Sequence, residues 1–248
     1  MYLTIQGIVL RVTDYNDKDA LLTMLTRRHG RLTVKARGLR RKNSPLIAPC
    51  QLLAYGEFTL FEYRGQYTIN EAQSIELFTP LRRDLTKLSL GTYFAQVSEV
   101  LSQEDMPNPE LQSLLLNCLY ALSRFDLPES QVKAVFELRA ACLSGYTPDL
   151  TGCHVCGSQT PERFDLSAGM LECRNCRSPE SNGIRMPVPP SVLEDMRYIC
   201  YCCDSKKLFS FQAGEDTLQQ LSEVTEAYLA TQLERGFSTL DFYKSLLI

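Results

Sequence analysis

Apolar and polar positions alternate through the first 76 residues of the chain. In TIQGIVLRV, Ile5, Ile8 and Leu10 stand among polar or small partners, the two-residue period of a half-buried strand. ALLTMLT then runs into RRHGR, where Gly30 permits a tight turn. RLTVKARG alternates again, with Leu32, Val34 and Ala36 on one face and Arg31, Thr33, Lys35 and Arg37 on the other. A flexible loop, GLRRKNSP, is expected next. QLLAYGEFTLFEY and QYTINEAQSIELF, joined by a turn at Arg64–Gly65, complete five short antiparallel strands. An open sheet of that size would leave exposed edges, so a small closed barrel of the oligonucleotide-binding (OB) type is predicted.

From Pro80 the period lengthens to that of a helix. DLTKLSLGTYFAQVSEVL places Leu85, Leu88, Tyr93, Phe94, Val97, Val100 and Leu101 on one stripe. In NPELQSLLLNCLYALSRF, Asn108 is an N-cap and Pro109 the first helical residue. ESQVKAVFELRAACLSGY stops at Gly145. Beyond the breaker MPVPPS come two more helices, VLEDMRYICYCC and EDTLQQLSEVTEAYLATQLERG, the second closing at Gly236. The predicted fold is α+β and multidomain. An OB barrel occupies residues 1–80, a helical domain residues 81–150 and 186–248, and a four-cysteine insertion residues 151–185.

That insertion carries the most specific motif. CHVC and CRNC give C-x2-C-x16-C-x2-C through Cys153, Cys156, Cys173 and Cys176, the spacing of a four-thiolate zinc site. Two residues between cysteines let both sulfurs of one turn reach one ion, and two such turns complete a tetrahedron. The intervening GSQTPERFDLSAGMLE reads as too short and polar for an apolar core of its own, so the metal would organise it. A thioredoxin-like redox pair would need one CxxC rather than two. A zinc deaminase would need H-x-E ahead of P-C-x-x-C, which is missing. Four thiolates close the coordination shell, so one Zn2+ of structural role is expected. His154, between two ligands, and His29, at the hairpin turn, read as exposed side chains. Cys200, Cys202 and Cys203 read as helix core beside Met196, Ile199 and Leu208.

Charge is unevenly placed. The chain of 248 residues has a formal net charge of −3, yet residues 1–56 hold ten Lys/Arg against three Asp, a net of +7. Eight of the sixteen residues from 27 to 42 are cationic, and none is acidic: Arg27, Arg28, Arg31, Lys35, Arg37, Arg40, Arg41 and Lys42. A local excess of this kind on an acidic chain points to a polyanion. Tyr15, Tyr55, Phe58, Phe61 and Tyr67 are candidate stacking platforms for single-stranded nucleic acid, although more than half are expected in the barrel core. No P-loop, dinucleotide fingerprint or nucleophile elbow is present, and no catalytic constellation stands out, so a non-enzymatic binding role is expected. There is no apolar run long enough for a membrane span, and the amino terminus lacks the pattern of a signal peptide, so a cytoplasmic protein is expected.

The segments GIVLRVTDYNDKDALLTMLTRRHGRLTVKARGLRR, LFTPLRRDLTKLSLGTYFAQVSEVL, NPELQSLLL, FELRAACLSGYTPDLTGCHVCG and YLATQLERGFSTLDFYKSL resemble, in this order, the bacterial recombination mediator family RecO. The resemblance implies an amino-terminal OB fold, a helical carboxy-terminal domain and an embedded zinc finger at Cys153, Cys156, Cys173 and Cys176. It further implies binding of single- and double-stranded DNA, annealing of complementary strands and, with RecR, assistance in loading RecA onto DNA coated by single-stranded DNA-binding protein (SSB), whose acidic tail the family binds. The cations from Arg27 to Lys42 would then hold DNA at the nucleoid. A competing reading is a zinc-ribbon scaffold whose basic barrel docks an acidic protein or RNA.

Overall fold

The computed structural model describes residues 1–176, 183–205 and 207–247. Residues 177–182 of the predicted insertion lie outside the described residues. The chain divides into two compact units, Met1–Phe125 with Phe237–Ile248, and Asp126–Gly236.

The first unit is built on strands β1 (Tyr2–Asp14), β2 (Ala20–Thr26), β3 (Gly30–Ala36), β4 (Tyr55–Tyr63) and β5 (Gln66–Glu76). They close into a barrel in the order β1-β2-β3-β5-β4, as the alternation predicts for an OB fold. One contact departs from the antiparallel expectation: β3 and β5 run parallel, with Val34 opposite Tyr67 and Lys35 opposite Thr68. Direction can alternate all round a closed ring only if the strand number is even. A five-strand barrel must therefore contain a parallel seam. The long strand β1 serves two neighbours, β4 along its first half and β2 along its second, and a register shift between Val9 and Arg11 allows the bend.

Leu22, Met24, Val34, Phe58 and Leu60 fill the barrel and are fully buried. The segment after β3 is not the expected flexible loop. It folds into successive turns whose Leu39, Leu46 and Cys50 join the barrel core, and Leu53 N–H donates to the Val9 carbonyl. The apolar residues in that basic stretch anchor it, leaving the cations outside. Gly30 has φ +61, and a Cβ there would collide with the Met106 and Gln103 carbonyls, so glycine is required for the turn and for its close approach to residues 103–106.

Helices α1 (Leu85–Leu101) and α2 (Pro109–Arg124) belong to the same unit. Asp84 caps α1 by accepting from Thr86 and Lys87 N–H, and Asn108 caps α2 by accepting from Leu111 N–H. Both helices pack against β2, where Gln112 Nε2 donates to the Leu25 carbonyl at 3.0 Å. As a result β2 is covered on both faces. A short helix α6 (Ser238–Ser245), not evident in the sequence pattern, lies on α1, with Thr239 donating to Gln96 and Tyr93 stacking edge-on against Phe237.

The second unit contains α3 (Glu129–Leu143), α4 (Pro190–Tyr201) and α5 (Glu215–Gln232), together with a small sheet. The sheet strands β6 (Asp149–Cys153), β7 (Arg163–Asp165), β8 (Met170–Glu172) and β9 (Arg185–Pro187) run in the order β6-β8-β7-β9. The segment expected to lack an apolar core of its own draws on one elsewhere in the same unit. Leu150, Phe164, Leu166 and Leu171 are fully or almost fully buried, and Phe164 packs on Tyr228 of α5 with ring centroids 5.0 Å apart. The segment uses the apolar face of a helix far along the chain. Helix α4 also ends earlier than its pattern suggests, so Cys200 is core as expected while Cys202 is half-buried and Cys203 exposed.

Candidate nucleic-acid interface and metal centre

The C-terminal end of β6 and the turn after β8 bring the two CxxC pairs together. The Sγ atoms of Cys153, Cys156, Cys173 and Cys176 all lie within 4.8 Å of one another, and those of Cys156 and Cys173 are 3.7 Å apart. Zinc–sulfur bonds of ~2.3 Å arranged tetrahedrally have sulfur–sulfur edges of ~3.8 Å, so the four sulfurs could close around one metal ion with shifts of ~1 Å or less. Burial works against ionisation of Cys153, but the backbone N–H groups of Cys156, Cys173 and Val155 pull its thiol down to about 6. A ligand already biased toward thiolate suits a cation. His154 is exposed, with Nδ1 3.4 Å from the Leu171 carbonyl, and is not needed to complete the set. Behind the cluster, Arg185 reaches Glu172 at 2.7 Å and Asp165 at 3.5 Å, tying β7, β8 and β9 together.

The eight cations do not form one surface. Arg27 and Arg28 sit at the β2–β3 turn and line a polar cleft of about 630 Å³ with Thr4, Gln6, His29 and Glu57. Arg37, Arg40, Arg41 and Lys42 lie beyond the other end of that hairpin. Seven strand residues separate the two groups by ~23 Å. On β3 itself, Arg31, Thr33 and Lys35 alternate outward between buried Leu32, Val34 and Ala36. Arg31 is nevertheless committed to the helices: its guanidinium donates to the Glu99 carbonyl at 2.9 Å and lies 3.9 Å from Glu104.

Lys35 and Arg40 are also paired. Lys35 lies 3.4 Å from Asp19 and 4.3 Å from the centre of the Tyr15 ring, and Arg40 is bound to Asp14. Asp19 accepts the Gly38 N–H, which together with Asn16 and Lys35 holds its carboxyl below the usual range. This carboxylate ties the β1–β2 turn to the start of the basic loop. The exposed side chains of Arg27, Arg28, Arg37, Arg41 and Lys42 make no ion pair among the described residues.

The fold adds two cations that the run of basic residues does not contain. Lys18 is exposed in the β1–β2 turn, where its carbonyl accepts the Arg40 N–H. Arg64, in the β4–β5 turn, is brought alongside β3 by the parallel seam and covers the Tyr63 ring at 5.2 Å. Their signal was positional, since both occupy turns beside β3 in the barrel order. The stacking candidates also depart from expectation. Phe58 alone is buried core, Tyr55 and Tyr67 are half-buried, and Tyr15 and Phe61 are exposed, Phe61 against Tyr2 at 5.4 Å. Placing Tyr15 in a turn and Phe61 on the outer face of β4 frees both from the core.

The description "Recombination protein O N terminal" matches residues 1–78, and "Recombination protein O C terminal" matches residues 82–241. The DNA repair protein RecO of Acetivibrio thermocellus is 33% identical over 251 residues, covering 99% of this chain and 97% of that protein. RecO of Alkaliphilus metalliredigens is 29% identical, covering 99% and 100%, and RecO of Bacillus subtilis is 29% identical, covering 90% and 86%. The chain belongs to the RecO family. It is accordingly a DNA repair and recombination protein, whose RecO amino-terminal region is the OB barrel with its cations. The RecO carboxy-terminal match holds all four clustered cysteines. No described helix is long and apolar enough to cross a membrane.

Proposed function

We propose that this RecO-family protein holds single-stranded DNA across its barrel, along the β1–β2 turn, the loop 37–42, the end of β3 and, over the β3–β5 seam, the β4–β5 turn. The observation that carries this reading is the grouping of Lys18, Arg37, Arg41 and Lys42 around the Arg40 N–H to Lys18 carbonyl bond, all exposed and without an ion pair among the described residues, to which exposed Arg64 is added across the β3–β5 seam. Lys35 and Arg40 add charge that their acids partly offset. Tyr15 and Tyr67 flank the path as stacking surfaces, and the turns involved are those through which OB folds commonly engage oligonucleotides. Arg27 and Arg28 form a second contact for strands long enough to reach the far end of the hairpin. Arg31 serves the barrel–helix packing instead of DNA.

Such a surface meets phosphates and leaves base edges available. Backbone contacts position a strand without reading its sequence, and neutralised phosphates lower the repulsion between two complementary strands. The same physics serves duplex DNA and strand annealing, and the protein would work in the cytoplasm at the nucleoid. Cooperation with RecR, docking of the acidic SSB tail and delivery of RecA are the partner roles that family membership brings to this chain. The four cysteines hold one Zn2+ as a structural brace and take no part in chemistry.

Titration of labelled oligo-dT over a salt series tests the proposal. Five phosphate contacts to a single strand predict log affinity falling with log salt at a slope of ~−3.5. A basic scaffold for an acidic protein would show no such DNA affinity, and that result would overturn the reading.

A further inference from the structure

Cys142, near the C-terminal end of α3, and Cys200, near the C-terminal end of α4, lie 58 positions apart in sequence with sulfurs 3.8 Å apart. Cys142 is partly exposed and Cys200 is buried, so Cys142 is the member of the pair nearer to solvent. The helix ends around them are held in place. Arg139 reaches across from α3 and donates to the Cys200 carbonyl at 3.0 Å and the Ile199 carbonyl at 3.4 Å. The hydrogen bond with Cys200, then Thr147 and the Arg139 charge, overcome burial and bring the Cys142 thiol down to about 7, while Cys200 is pushed up. The isolated core cysteines are opposite in character: burial raises Cys50 to about 12 and also raises Cys118. A partly exposed, partly ionised sulfur facing a second thiol has the features of a nucleophile with its resolving partner.

We infer that Cys142 and Cys200 form a peroxide-sensitive dithiol that closes into a disulfide between α3 and α4. The Cys142 thiolate attacks one oxygen of hydrogen peroxide. An S–O bond forms as the O–O bond breaks, and the departing hydroxide takes up a proton to become water. The Cys200 sulfur then attacks the sulfenic sulfur of Cys142. The S–S bond forms as the S–O bond breaks, and a second water leaves with the Cys200 proton. Two thiols are oxidised by two electrons, and one peroxide is reduced to two waters. The sulfurs must approach by a little under 2 Å to reach the ~2.05 Å of a disulfide. The bridge closes a loop that contains all four metal-site cysteines. It does not depend on the DNA-binding reading.

The test treats reduced, zinc-loaded full-length protein with increasing hydrogen peroxide, blocks remaining thiols with N-ethylmaleimide and maps a non-reduced digest by mass spectrometry. The expected product is a peptide linking Cys142 to Cys200, lighter by two hydrogens than the separate peptides and released by dithiothreitol. It forms at doses that leave Cys50 and Cys118 free, and still forms when Cys202 and Cys203 are both replaced by serine. Recovery of both Cys142 and Cys200 as blocked thiols while exposed Cys203 is oxidised would overturn the inference. So would linkage of either to Cys202 or Cys203 alone. Cys142→Ser and Cys200→Ala should each remove the linked peptide. If either variant fails to fold, the map of the unaltered protein decides.

Discussion

Replacing Arg37 and Arg41 together by alanine should remove two of the five phosphate contacts assigned to the barrel end. Both side chains are exposed and make no ion pair among the described residues, so in the proposed complex each would meet DNA without first giving up an ion pair. At ~0.7 counterions per contact, the slope of log affinity against log salt should change from ~−3.5 to ~−2.1. At 0.1 M salt the same two contacts are worth ~1.4 decades of affinity, a ~25-fold weakening or ~2 kcal/mol. Fluorescence anisotropy of a labelled oligo-dT, measured at several salt concentrations, gives both quantities. Arg31→Ala is the control, because Arg31 is bound to the Glu99 carbonyl and should leave the slope unaltered. An unchanged slope in the double variant, or an equal change in Arg31→Ala, would refute the reasoning.

Zinc removal by a strong chelator, or Cys153→Ser, should unravel the small sheet while leaving the barrel folded, read as loss of protection from hydrogen exchange confined to β6–β9. Asp195, buried in α4 with Oδ2 lacking a hydrogen-bond partner among the described residues, has its carboxyl raised to about 6 by burial and by Glu194. Its ionisation opposes folding as pH rises from the ordinary value of 3.8 through about 6. Asp195→Asn should therefore stabilise the protein by about 1–2 kcal/mol at neutral pH, after allowance for solvent screening, with the gain vanishing below pH 4 in denaturant melts. In the helical unit, buried Lys133 lies 3.0 Å from Glu137 and 2.8 Å from Glu226. Lys133→Met alone should cost ~3–5 kcal/mol by leaving Glu137 buried without its cation, and adding Glu137→Leu should restore much of that in a double-mutant cycle.

Local pattern was enough to read the barrel and the four-cysteine cluster. Alternation on β3 sorts Leu32, Val34 and Ala36 inward whatever the rest of the chain does, and paired CxxC turns define a ligand set by spacing alone. What the sequence concealed depended on distant partners. The loop after β3 read as mobile because its cations outnumber Leu39, Leu46 and Cys50, yet those three residues find the open end of the barrel and fix it. The cysteine segment read as too polar for a core of its own, and the partner it packs on, Tyr228 against Phe164, comes more than sixty residues later in the chain. The basic run looked like one surface. A hairpin sends its two ends apart, and Glu99, Asp19 and Asp14, spread along the chain, claim three of its members. Lys18 and Arg64 enter the proposed path only through the fold, Lys18 by its carbonyl's bond to the Arg40 N–H and Arg64 by the β3–β5 seam.

Photocrosslinking of 5-bromodeoxyuridine-substituted oligo-dT, followed by peptide mapping, tests the assignment of DNA to this end of the barrel most directly. The predicted crosslinks fall on Tyr15, Tyr63 and Tyr67, the aromatic rings beside Lys35, Arg64 and the β3–β5 seam. Crosslinks confined to the cysteine segment or to helices α3–α5, with none on the barrel, would contradict it.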